Sequence, residues 1–132
     1  MNNIEVVKAF MNAINAHDVD TLSKLMTENH VFIDSLGNSV TGRDKMIAGW
    51  KHYFVFCPDY WVSHEEFLER DRLVAVFGSA GGTVAAEGTL PIENKWRVAA
   101  AWLAEVEDGQ VNVWRVYADN KRVHEILGTR EL

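Results

Sequence analysis

Residues 96–106 read WRVAAAWLAEV, and this run limits the fold more than any other in the chain. Trp96, Val98, Ala100, Trp102, Ala104 and Val106 fall on every second position, the period of a strand with one buried face. The sequence EDGQ follows at 107–110. Asp-Gly tolerates positive φ, so it predicts a hairpin turn and a partner strand over 110–118. Two more strands are predicted upstream, over 60–70 and 73–85, joined through RDRL. The second half of the chain is therefore a sheet of long, mainly antiparallel strands.

The first half has a different period. Over residues 3–16, Ile4, Val7, Met11 and Ile14 recur at helical spacing, and Val6, Phe10 and Ala13 widen the stripe. Asn2 followed by Glu5 is a capping-box pattern. Asp18 starts a second helix with Leu22, Leu25 and Met26 inward. A short strand is expected over 31–36, turning at Gly37-Asn38. Thr41 or Gly42 opens a third helix with Met46, Ile47, Trp50 and Phe54 on one face, and Cys57-Pro58-Asp59 stops it. Asp119 can cap a last helix carrying Val123, Ile126 and Leu127, which Gly128 ends. Helices first and strands afterwards argue for an α+β fold. A long twisted sheet curling around helices leaves a concavity that suits a small ligand.

The 132 residues fit one domain, 1–132, with no repeat or linker. A net charge of −6 argues against a nucleic-acid partner, and Lys121-Arg122 reads as a solvated helix face. The N-terminal run carries Glu5 and Lys8, so no signal segment is expected, and no apolar run suits a membrane span. Cys57 is the only cysteine; no intrachain disulfide can form, which suits a cytoplasmic location. The five histidines form no HExxH or spaced set, so neither a metal nor a cofactor is expected. His64 is a candidate second acid/base at a pocket mouth. GSAGG at 78–82 lacks the Gly-Lys-Ser/Thr ending of a phosphate loop and predicts a bulge or bend instead.

The stretch VVKAFMNAINAHDVDTLSKLMTENHVFIDSLGNSVTGRDKMIAGW, with the tail VEDGQVNVWRVYADNKRVHEILG, resembles the SnoaL-like domain of the ketosteroid isomerase and nuclear transport factor 2-like superfamily. The resemblance implies a cone-shaped, curved antiparallel sheet wrapped around N-terminal helices, a cystatin-like α+β barrel. It also implies one deep pocket and, commonly, a homodimer. In ketosteroid isomerases the base position corresponds to Asp34, in VFIDSLG. The positions of the two oxyanion donors fall on Phe10 and Ala101, which have no side-chain donor. That argues against ketosteroid isomerase activity. In the limonene epoxide hydrolase-like branch an acid inside the last strand is essential, and Val116 stands there in WRVYAD. Asp119 matches the outer acid and reads more readily as a helix cap.

On this comparison the pocket holds Asp34 as acid/base, with Phe10, Ile14, Trp50, Phe54, Val76, Ala101, Trp114 and Val116 as ligand contacts. An apolar surround would make the Asp34 carboxylate more basic. Asp34 also precedes a Gly-Asn turn, so a bond to the local backbone is the plain alternative. The opposite face of the long strand, including Trp96, Val98 and Trp102, would pair two copies of the chain. The expected function is an isomerase, lyase or cyclase acting on a small apolar molecule. The alternative is a non-catalytic ligand-binding or dimerisation module.

Overall fold

In the computed structural model, which describes residues 1–128, the capping box forms as expected. The Asn2 side chain accepts the Glu5 N–H at 2.8 Å, and the Glu5 carboxylate accepts the Asn2 N–H at 3.1 Å. Helix α1 (Asn3–Asn15) buries Val6, Val7, Phe10, Met11, Ala13 and Ile14. Asp18 caps the short helix α2 (Val19–Lys24) through the Thr21 N–H. Strand β1 spans Met26–Ile33, so Met26 belongs to a strand and not to the second helix. It ends one residue before Asp34. A short strand β2 (Ser39–Thr41), not anticipated from the sequence, pairs back onto β1. Helix α3 (Arg43–Phe56) follows Gly42, whose φ of 114° favours glycine.

Strands β3 (Trp61–Arg70), β4 (Leu73–Thr83), β5 (Lys95–Glu107) and β6 (Gln110–Ala118) complete the sheet, and helix α4 covers Lys121–Gly128. The strand order is β2-β1-β6-β5-β4-β3. Every pair is antiparallel except β1 with β6. The helices pack on one face of this curved α+β sheet, and one contiguous core lies between them. Asp108 and Gly109 take φ of 50° and 78° in the predicted hairpin turn. No helix among the described residues is long and apolar enough to cross a membrane.

The glycine-rich run serves close backbone approach. Between His64 and Glu66, β3 bulges opposite Gly78 and Phe77. A Cβ on Gly78 would overlap the Ser63 carbonyl oxygen, and one on Gly82 would overlap Cys57 Sγ.

One face assignment is overturned. Trp96, Val98 and Trp102 face the helices, and Trp96 and Trp102 are buried. They cannot form an outer pairing surface. Ala101 lies on the other face, in a cross-strand row with Phe77 and Tyr117, each nearly half exposed. The cause is a register shift in the hairpin. Glu107 pairs with Gln110, but beyond an irregularity at Glu105/Val106 the partners become Ala104–Trp114 and Trp102–Val116. A regular ladder would have set Val116 opposite Ala101. Cross-strand partners share a face, so inward Trp114 and Val116 bring Trp102 and Ala104 inward with them.

Candidate functional site

The helix-covered face of the sheet is not filled completely. A cavity of about 330 Å³ lies between α3, the turn after β1, and the inward faces of β5 and β6. That is near the small end of ligand-site volumes, roughly 300–1,000 Å³. Its wall is mostly aromatic and aliphatic. Trp96, Val98, Ala100 and Trp102 enter from β5; Trp114, Val116 and Ala118 enter from β6; Met46, Trp50 and Tyr53 enter from α3. Among the described residues no lysine, arginine or histidine lines it, and Asp34 is the only carboxylate that does.

Asp34 is half-buried, and its two oxygens differ. Oδ1 accepts the N–H groups of Leu36 and Asn38, each at 2.9 Å. The Asp34 N–H donates to the Asn38 carbonyl at 2.9 Å, and the Gly37 N–H donates to the Asp34 carbonyl at 3.0 Å. DSLGN is thus a closed turn organised by the carboxylate, the local-backbone role that Asx-type sequences favour. Oδ2 has no hydrogen-bond partner among the described residues. Beside it, Asn120 Nδ2 donates to Ser35 Oγ at 2.8 Å, tying the turn to the segment after β6. The surround at the carboxylate itself is therefore more polar than the sequence suggests.

The other predicted site residues divide. Trp50, Trp114 and Val116 line the cavity with Asp34. Phe10 and Ile14 lie in the core behind it, the Phe10 ring 4.8 Å from that of Trp114. Val76 is fully buried on β4 without reaching the cavity. Phe54 packs behind Trp50 at 5.4 Å and stacks on His17 at 4.1 Å. Ala101 faces outward, and His64 is exposed on β3 with its ring against Phe67. Neither can act on a molecule in this cavity. Asp119 is exposed and accepts the Lys121 N–H at 3.0 Å, as a helix cap does.

Sequence reasoning missed Tyr53 and Tyr60. Both line the cavity, and their rings meet edge to face at 4.8 Å. A signal existed for Tyr53: Met46, Trp50 and Tyr53 follow the i, i+4, i+7 spacing of one helix face. Burial pushes both phenols well above their ordinary value, and for Tyr53 the neighbouring Tyr60 and Cys57 add to it. Burial, followed by the Asp59 charge, also pushes the Cys57 thiol up to about 12. Among the described residues no three His, Cys, Asp or Glu side chains gather where they could hold a metal ion.

Residues 7–114 match the family model described as the SnoaL-like domain. The chain belongs to the SnoaL-like family. Solved structures share the fold of this SnoaL-like protein at low identity. A proposed SnoaL-like polyketide cyclase from Jannaschia sp. CCS1 is 24% identical, with 92% of this chain and 88% of that one covered at a TM-score of 0.79. An LEH-like epoxide hydrolase of M. tuberculosis is 17% identical, with 96% and 90% covered at 0.79. A protein of ketosteroid isomerase-like fold from Catenulispora acidiphila DSM 44928, solved with trimethylamine, is 18% identical, with 90% and 88% covered at 0.78. No curated protein matches the chain.

Proposed function

We propose that this SnoaL-like protein binds a small apolar molecule in the cavity and moves a proton at one of its carbon atoms, with Asp34 as acid/base. That chemistry is common to isomerisation, elimination and cyclisation. The observation that carries the reading is Asp34 itself, the one carboxylate on the cavity wall among the described residues, held by Oδ1 while Oδ2 has no partner among them. A base needs a fixed position and a free lone pair, and the turn supplies the first while leaving the second. The Jannaschia neighbour's cyclase description is compatible with this class. Epoxide hydrolysis is less so, because Val116 puts a methyl-bearing side chain on the cavity wall where the resemblance implies an acid.

Exchange of an acidic C–H with D2O tests the reading without knowledge of the natural substrate. An aryl methyl ketone that binds the cavity should lose its α-protons faster with the wild-type protein than in buffer, followed by NMR. Asp34→Asn should return the rate to that of buffer. An unchanged rate in the variant would sink the assignment. Binding without any exchange would favour the second reading, a non-catalytic binding module, which the structural use of Oδ1 supports.

A further inference from the structure

Two partly buried tyrosines, Tyr53 and Tyr60, stand against each other on the cavity wall. Neither is an exposed residue, both line the cavity, and neither hydroxyl has a hydrogen-bond partner among the described residues. We propose that the hydroxyls of Tyr53 and Tyr60 form a donor subsite for the carbonyl oxygen of a small, neutral, flat molecule. The proposal rests on the reading of the cavity as a small-molecule site, and it names the ligand class.

Three observations support it. The first is that the two rings pack edge to face at 4.8 Å on anchored backbone. Tyr53 lies within α3, and its carbonyl accepts the Cys57 N–H at 2.8 Å. The Tyr60 N–H donates to the Cys57 carbonyl at 3.1 Å, and the Tyr60 carbonyl is 2.9 Å from His17 Nε2. Between them the Asp59 carboxylate accepts Thr83 N–H at 2.6 Å and Thr83 Oγ1–H at 2.8 Å. Donors fixed this way need little reorganisation to meet an acceptor. The second is protonation. Burial keeps both phenols neutral over the working pH range, so both can donate.

The third is the character of the wall. Among the described residues no lysine, arginine or histidine lines the cavity and Asp34 does, a wall that disfavours a carboxylate or phosphate. A neutral oxygen acceptor on an apolar ring system is the complement of two neutral donors among tryptophans. Trp50 stands between the two ends of the site: its ring lies 6.4 Å from Phe32, two residues before Asp34, and 6.5 Å from Tyr60. Hydrogen bonds to a carbonyl oxygen also acidify the adjacent C–H. These donors stand on α3 and just before β3, away from Phe10 and Ala101, where the resemblance would have put them.

Two near-isosteric probes test the subsite: 2-acetylnaphthalene, which offers a carbonyl, and 2-isopropylnaphthalene, which does not. Quenching of tryptophan fluorescence reports binding, since Trp50, Trp96, Trp102 and Trp114 all line the cavity. Tyr53→Phe and Tyr60→Phe should each weaken the ketone by roughly fivefold, the worth of one neutral hydrogen bond. The hydrocarbon should stay within about twofold of its wild-type affinity, which also shows that each variant keeps its cavity. If the ketone is weakened no more than the hydrocarbon in both variants, the subsite is overturned while the cavity reading survives. If neither probe binds the wild-type protein, the cavity reading fails, and the subsite with it.

Discussion

Asp34 carries two roles on two oxygens, and substitution can separate them. Asp34→Ala removes the acceptor for the Leu36 and Asn38 N–H groups. Each such bond contributes about 0.5–1.5 kcal/mol net. Leu36 and Asn38 are exposed, so water replaces part of what is lost. A loss of about 1–2 kcal/mol is therefore expected. Unfolding entropy of about 2.1 cal/mol/K per residue over 132 residues gives roughly 0.28 kcal/mol/K. The Ala variant should then melt about 4–7 °C lower. Asn retains an oxygen at Oδ1, so Asp34→Asn should melt within about 2 °C of the wild type while losing any proton transfer. Thermal unfolding followed by far-UV circular dichroism separates the cases. If Asn melts with Ala, the turn needs the charge and not the acceptor. If Ala melts with the wild type, the turn does not depend on the side chain. Either result refutes the division of labour.

Other consequences follow from the same structure. Gly78→Ala would drive a Cβ into the Ser63 carbonyl opposite the β3 bulge; urea unfolding should show a loss of about 1–3 kcal/mol or more, with the slope unchanged. Cys57, raised from 9.0 to about 12 in the folded chain, keeps its proton where the unfolded chain releases it. Its contribution to stability is full below about pH 9 and is lost as the pH rises towards 12; Tyr53 and Tyr60, also raised, act in the same direction at higher pH. Denaturant midpoints measured from pH 8 upward should fall, and fall less steeply in Cys57→Ala. We propose that two copies of the chain pair through the row Phe77–Ala101–Tyr117, the apolar part of the sheet face turned away from the helices. Phe77→Glu with Tyr117→Glu should sediment as a monomer if the wild type sediments as a dimer; a wild-type monomer contradicts the pairing.

Local chemistry made much of this legible. The Asn2–Glu5 box, Asp18, Asp108-Gly109 and the alternation in β5 each act over a few residues, and each marks the element that forms. The start of β1 was not legible, because MTENHVFI lacks regular alternation. Its order comes from distant partners: Gln110 Nε2 donates to the carbonyls of Lys24 and Met26, and the Val111 carbonyl meets buried His30 Nδ1. The inward face of β5 was lost for a related reason. Alternation sorts its residues into two sets, but the choice between them depends on a one-residue slip near the hairpin. The aromatic half of the site followed from that choice. Tyr60 lies outside any helix or strand; His17, from the turn after α1, meets its carbonyl, and the adjacent Asp59 is anchored to Thr83 of β4, so no local pattern announces it.

The most direct test of the account is a crystal structure of the protein grown with 2-acetylnaphthalene. The account predicts naphthyl density among Trp50, Trp102 and Trp114, with the ketone oxygen within hydrogen-bonding distance of the Tyr53 or Tyr60 hydroxyl. A cavity closed by its own side chains, with the ketone absent or seated on the outer face of the sheet, would contradict it.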